Sequence, residues 1–350
     1  MKQKGKNPNT SSFYIDFGSA YYALNFTYNE SEFYIDLDTQ PCKHFIIPDA
    51  LMVFVSGFYV LIFVLAIPGN LVVGLVIGLS RQALPPSDLY LLHLAVADIL
   101  LALTLPFWAT SVTQGWVFGD AMCKIVTILQ ELSFYSSILF LTCISMDRYM
   151  VIVRAMEARR ANRRMVSWVV CAAVWGTGAI LSLPGLLHSS YKSHNSSQLM
   201  CEEHYTPGSA SDWRLATRLL RHTLGFLIPL AIMLPCYGRQ KAMRVIVFVV
   251  FAFLLCWTPY HLAVMADTFF RSKIVPYNCP ARMVVDRVMF ATQILGLLHS
   301  CVNPVLYAFV GEKFRSRLTQ ILRKMGVLER TSLSRSSRSS LSSEITSTFM

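Results

Sequence analysis

The chain has 350 residues, 54% of them hydrophobic and only 15% charged. A soluble globular domain carries roughly 25% charged residues, so this composition excludes an ordinary soluble fold and fits a helical membrane bundle. The formal net charge of +11 looks like a nucleic-acid signal, but its basic residues gather on two segments and read as membrane topology, with no nucleic acid as partner.

The first segment, 1–48, is a polar, aromatic arm. Tyr14, Tyr21, Tyr22, Tyr28 and Tyr34 stand beside Asp16, Glu30, Glu32, Asp36 and Asp38. Apart from Lys2, Lys4 and Lys6 its charge is negative. Such a segment cannot bury enough apolar surface to fold alone. It suits a flexible arm that captures a basic partner; the alternative is an inert solvated tail. It holds no apolar core of signal-peptide length, so the first span is expected to be its own uncleaved signal. Glycosylation sequons stand at Asn9, Asn25, Asn29 and, further on, Asn195. All four fall on the side read as outside.

Seven long apolar stretches follow: Leu51–Leu79, Leu89–Val112, Ile125–Val153, Met165–Leu187, Leu219–Gly238, Val245–Ala266 and Val284–Val310. About 20 residues at about 1.5 Å each cross the hydrocarbon core of a bilayer. The fold class is therefore an all-α membrane protein, a seven-transmembrane helix bundle over 49–310. Arg154, Arg159, Arg160, Arg163 and Arg164 crowd the loop after span three, and Lys313, Arg315, Arg317, Arg323 and Lys324 follow span seven. Positive loops face the cytoplasm, so the N-terminus is placed outside. Residues 311–325 alternate basic residues with Phe314, Leu318, Ile321 and Leu322, the pattern of a short amphipathic eighth helix lying on membrane lipid. The tail 326–350 is dense in Ser and Thr, with Arg335 and Arg338. Phosphorylation would make it acidic and Arg-pairing.

A charge inside hydrocarbon is costly, so the polar exceptions within spans point to function or internal pairing. Asp98 sits mid-span two, with Asn70, Asn303, Ser137 and Ser300 as its natural neighbours. An oxygen-lined pocket of this kind suits Na⁺, or a plain interhelical hydrogen-bond cluster. Asp147-Arg148-Tyr149 closes span three at the inner edge, either as a two-state latch or as a snorkelling arginine. Pro68, Pro106, Pro229, Pro235, Pro259 and Pro304 fall inside spans. Each removes a helix hydrogen bond and permits a kink, which favours a switching bundle over a rigid anchor. Of nine cysteines, Cys143, Cys171, Cys236, Cys256 and Cys301 lie in spans. Cys42, Cys123, Cys201 and Cys279 lie outside, where oxidation is expected. Four cysteines allow three pairings, and spacing does not choose among them.

Gly69-Asn70, Leu94-Ala95-Val96-Ala97-Asp98, Asp147-Arg148-Tyr149, Trp175, Pro229, Tyr237, Cys256-Trp257-Thr258-Pro259 and Asn303-Pro304-Val305-Leu306-Tyr307 occupy the seven spans in order. Together they resemble a rhodopsin-like G-protein-coupled receptor. Thr104-Leu105-Pro106, Trp116-Val117-Phe118-Gly119, the run Asp147 to Val153 and a second outside cysteine pair are similar to chemokine receptors. His299-Ser300-Cys301-Val302-Asn303-Pro304, Ala266-Asp267-Thr268 and Trp213-Arg214 with Arg218 resemble the type 1 and type 2 CXC chemokine receptors, the interleukin-8 receptors. The resemblance covers roughly 42–325.

The resemblance implies a plasma-membrane receptor in which the acidic arm engages a basic CXC chemokine. The chemokine's N-terminus would enter near Trp108, Glu131, Arg214, Arg218, Asp267, Asp286 and Gln293. The favoured disulfides are Cys123–Cys201 and Cys42–Cys279. Trp257 and Pro259 would relay the change toward Tyr237, Asn303, Pro304 and Tyr307. Arg148 would then release Asp147 and admit an inhibitory-class heterotrimeric G protein, with receptor kinases and arrestin acting on the tail. Asp98, Ser137 and Asn303 would hold an allosteric sodium ion; no other cofactor and no structural metal is expected.

Three departures stand out. Gln293 replaces a usual Glu, and Ser133 replaces a usual Asn near the sodium pocket. Only Gly238–Arg244 separates spans five and six, roughly a dozen residues fewer than the family carries, or about 18–20 Å of helix. The short loop keeps a second reading open, a chemokine scavenger or coupling-defective form. A transporter would call for inverted repeats, which the chain lacks. No nucleophile–base pair or metal-ligand spacing suggests an enzyme.

Overall fold

A computed structural model describes residues 10–17, 20–27, 48–79, 84–153, 160–192, 198–204, 210–237, 244–272, 279–310 and 312–324. The chain divides into two units, Met1–His44 and Phe45–Met350. In the first, β1 (Thr10–Phe17) pairs antiparallel with β2 (Ala20–Thr27), Phe13 opposite Leu24 and Ser12 opposite Asn25. The sequence reading of a flexible arm contains no such hairpin. The aromatic and β-branched content of these runs favours strands, although a lone hairpin is marginal in water.

The second unit is built on α1 (Asp49–Gly78), α2 (Pro86–Gln114), α3 (Gly119–Val153), α4 (Arg160–Leu181), α5 (Ala210–His222), α6 (Ile228–Tyr237), α7 (Arg244–Arg271), α8 (Cys279–Leu297), α9 (His299–Val310) and α10 (Glu312–Lys324). A π-helical turn, Thr223–Leu227, joins α5 to α6. Among the described residues, seven segments are long and apolar enough to cross a membrane, and α5–α6 and α8–α9 each make one of them. Val53 and Phe54 on α1 are 69% and 68% exposed. Apolar surface of that extent is costly in water, whereas lipid accepts it.

Helix starts and breaks follow the sequence. Pro85 precedes α2 and Pro86 opens it, where a missing N–H costs nothing. Pro68, Pro106, Pro235, Pro259 and Pro304 lie inside helices. Span seven is interrupted at Leu298, so α8 and α9 are separate helices. Span five begins nine residues before the apolar run that foretold it, at Ala210. The reason is that its outer turns turn arginines toward the bundle. At the π turn, a Cβ on Gly225 would stand 2.7 Å from Tyr135 Cε1. Glycine therefore lets span five lie directly on span three.

The core centres on Leu94, Ile138, Phe140, Leu141, Ile144 and Phe253, all nearly inaccessible. Between spans four and five, β3 (His188–Lys192) pairs antiparallel with β4 (Leu199–Glu203), so the all-α reading needs this hairpin added to it. Trp116 N donates to Leu199 O at 2.7 Å. Gly115, with φ 77°, makes that approach; a Cβ there would stand 2.9 Å from Leu199 O. Cys123 is bonded to Cys201 with Cα atoms 5.6 Å apart, which pins the hairpin to the top of α3. Cys279 is also disulfide-bonded; Cys42 lies outside the described residues. Between spans five and six, α6 stops at Tyr237 and α7 starts at Arg244. Helix α10 forms as its amphipathic pattern required, with Phe314 against Tyr307 at 6.4 Å. The Ser/Thr-rich tail 326–350 lies outside the described residues.

Candidate functional site

Helix α5 places Arg214, Arg218 and Arg221 at spacings of four and three, which puts them on one face. Each meets an acid from a different element. Arg214 Nε is 3.9 Å from Glu203 Oε2 on β4. Arg218 Nη1 donates to Asp267 Oδ2 of α7 at 2.7 Å and to Thr268 Oγ1 at 3.3 Å. Arg221 pairs with Glu131 of α3 and donates through Nη1 to Tyr260 OH at 3.1 Å. Asp267 also accepts from Arg271 Nε at 2.7 Å. The side chain of Asp267 is only 3% exposed. Two guanidiniums compensate the burial of this side chain.

Two cavities open onto this face. Glu131, Tyr135, His188, Glu203, Arg218 and Arg221 line one. Gln130, Glu131, Arg221, Trp257, Tyr260 and Gln293 line the other. Of the residues anticipated for the ligand, Glu131, Arg218 and Gln293 meet here. Arg214 and Asp267 are one ion pair away. Trp108 packs on Trp116 instead, centroids 5.5 Å apart, and Asp286 lies 3.6 Å from Arg282 Nε one turn earlier on α8. Arg221 and Tyr260 escaped the sequence reading. The signal for Arg221 was available, since it extends the spacing of Arg214 and Arg218 by one more turn. Beside the cavity, burial holds the His188 imidazole below its ordinary pKa, with Glu203 opposing and Lys124 adding to the shift.

Trp257 forms the floor. Its ring lies 4.7 Å from that of Phe134, and a Cβ on Gly296 would stand 3.0 Å from it. Trp257 Nε1 is 3.1 Å from His299 Nδ1, and His299 Nε2 is 3.6 Å from Asp98 Oδ1. Asn303 Nδ2 donates to Asp98 Oδ2 at 2.8 Å and Ser137 Oγ to Oδ1 at 3.5 Å. Asn70 Nδ2 donates to Ser300 O at 2.8 Å. Asn70 Oδ1, Ser133 Oγ, Asn303 Oδ1 and Tyr307 OH are buried without a hydrogen-bond partner among the described residues. Buried oxygens left unpaired beside a carboxylate make a donor set that a hard cation can use.

Near the C-terminal end of α3, Arg148 Nε is 4.0 Å from Asp147 Oδ2, and Arg148 Nη2 donates to Ser87 Oγ at the start of α2. The adjacent Asp88 accepts from Arg317 Nη1 of α10 at 2.9 Å. The first turn of α2 thus holds both the Asp147-Arg148-Tyr149 arginine and the amphipathic helix. Tyr237 ends α6 and Pro259 and Pro304 lie within their helices. Asn25 lies in β2; Asn9, Asn29 and Asn195 lie outside the described residues.

The family model of the 7 transmembrane receptor (rhodopsin family) matches residues 69–240 and 238–307. Its two stretches meet at the short loop between spans five and six. The C-X-C chemokine receptor type 2 of Pan troglodytes is 42% identical over 346 residues, 94% of this chain and 95% of that protein. The type 2 receptor of Homo sapiens is 42% identical, over 94% of each chain. The C-X-C chemokine receptor type 1 of Homo sapiens is 44% identical over 290 residues, 79% of this chain and 82% of that protein. With seven helices long and apolar enough to cross a membrane among the described residues, this multi-pass membrane protein is a receptor and not an enzyme: it belongs to the rhodopsin family of seven-transmembrane receptors and, within it, to the C-X-C chemokine receptors.

Proposed function

We infer that this chain is a plasma-membrane receptor, N-terminus outside, for CXC chemokines of the interleukin-8 type. It signals through an inhibitory-class G protein to drive leukocyte, notably neutrophil, chemotaxis, with receptor kinases and arrestin acting on the Ser/Thr-rich tail. The carrying observation is the 42% identity to a type 2 receptor across 94% of the chain. The paired charges of α5, α3 and α7 support it, since a chemokine terminus bearing both signs can exchange with them. A second reading rests on the inner loop. Helix α6 ends at Tyr237 and α7 starts at Arg244, and the family match divides at 238–240. The surface that meets a G protein is shortened there, so the chain would bind and internalise chemokine without coupling.

The test is G-protein activation by Glu-Leu-Arg-bearing CXC chemokines in cells expressing the full chain, beside labelled-ligand binding. Binding with activation supports the signalling receptor. Binding without activation, restored by inserting about a dozen residues, the missing helix length, selects the scavenger or coupling-defective form. Absence of binding to every chemokine tested sinks both.

We further infer that Asp98, Ser137 and Asn303 take a sodium ion as a modulator. Na⁺ is expected to lower agonist affinity in the native receptor and to have no effect in Asp98→Asn. Equal sodium sensitivity of the two would refute the assignment.

A further inference from the structure

His222 and His261 serve none of the roles above. His222 ends α5 just before the π turn, and His261 lies one turn outward from Trp257 on α7. Their residues are 6% and 2% exposed, and their Nδ1 atoms are 2.8 Å apart. At that separation one nitrogen bears the proton and the other offers its lone pair. Phe226 stacks on the His261 ring at 4.2 Å, and Phe134 and Tyr260 stand at 5.8 Å. The two rings meet edge to face between spans five and six, centroids 5.0 Å apart and planes 63° apart, and Phe134 and Tyr260, which pack on His261, line the adjoining cavity with Gln130 and Gln293.

We propose that His222 and His261 form a binding site for a zinc-like divalent transition-metal ion that bridges spans five and six. Zinc sits about 2.0–2.1 Å from an imidazole nitrogen, so a tetrahedral ion holds two such nitrogens about 3.3 Å apart. The rings need separate by only about half an ångström from their present contact. The bond balance is simple. The Nδ1 proton of one ring is transferred through water to Nε2 of the same ring, both imidazoles stay neutral, and each Nδ1 lone pair binds the ion. Nothing is oxidised or reduced.

No group of three or more His, Cys, Asp or Glu side chains is placed to share a metal among the described residues. The remaining positions therefore fall to water from the adjoining cavity. Two protein ligands make an exchangeable site, unlike the closed four-ligand sites of structural zinc. The nearby positive charge is partly balanced: Arg221 is paired with Glu131, and Arg218 shares Asp267 with Arg271. Mg²⁺ and Ca²⁺ prefer oxygen donors and would not compete.

The experiment titrates ZnCl₂ into the purified full chain and follows the thermal unfolding midpoint, with MgCl₂ as control. An ion that binds only the folded form raises the midpoint saturably. The rise is expected in the native chain with Zn²⁺ alone, absent in His222→Gln and in His261→Asn, and regained in His261→Cys, whose thiolate supplies a new ligand. A native chain with no rise, a rise that survives in either single variant, or a cysteine variant that stays silent overturns the site. The readout uses no chemokine, so its outcome is separate from the proposed ligand.

Discussion

Replacing Asp267 by Ala is expected to lower both the stability of the receptor and its affinity for chemokine, with surface expression retained. The carboxylate is 3% exposed and accepts from Arg218 and Arg271, each at 2.7 Å. Removing one partner of a buried ion pair typically costs about 3–5 kcal/mol, because the other charge stays buried and unpaired. Here the two guanidiniums are 17% and 29% exposed, so water rescues part of the loss and about 3 kcal/mol is expected. Arg218→Ala is expected to cost less, since Arg271 still holds Asp267. The double variant is expected to be non-additive, as for residues in one network. Thermal unfolding and labelled-chemokine binding on the three variants read this directly. Additive losses, or unchanged binding in both single variants, would place Asp267 and Arg218 outside the ligand path.

Cys123→Ser and Cys201→Ser are expected to be equally damaging. The bond spans a sequence separation of 78, for which chain-entropy arguments give about 4.5 kcal/mol in a freely unfolded chain. Spans three and four stay inserted in the membrane when the receptor unfolds, so the loop is already restrained. About 2–3 kcal/mol, the lower part of the usual disulfide range, is the better expectation. The functional loss should exceed the loss in stability, because the bond positions Glu203 of β4 opposite Arg214 of α5. Surface expression and chemokine binding of the single and double serine variants measure this. A double variant worse than either single one would count against the pairing.

The spans and their order were legible because a bilayer imposes a length and an apolar composition that few other environments demand. Their ends were less so. Span five was read from Leu219, yet α5 starts at Ala210: hydropathy registers Arg214 and Arg218 as lying beyond the end of a span, whereas their charges are met by Glu203 and Asp267. The Asp98 neighbourhood was legible because isolated polar residues in apolar runs must find one another. Asn303 and Ser137 both reach Asp98, but Asn70 turns to the Ser300 carbonyl. How the residues expected to meet a ligand are arranged was only partly legible. Trp108 and Asp286 belong to the same outer half of the bundle and still face Trp116 and Arg282, because helix rotation, which hydropathy does not encode, decides where a side chain points.

The sequence by itself determined that this is a seven-span membrane protein, its expected orientation, the amphipathic α10 and the motif set of a receptor family. These rest on local composition, charge bias and spacing along the chain. The tertiary structure decided the partners. Arg221 meets Glu131 across 90 positions of sequence, and His222 meets His261 across 39. It also decided that Cys123 pairs with Cys201 and that Gly115 and Gly225 are needed for close approach. Such pairings depend on how helices turn and lean on one another, and that is fixed by packing of the whole bundle rather than by any single segment.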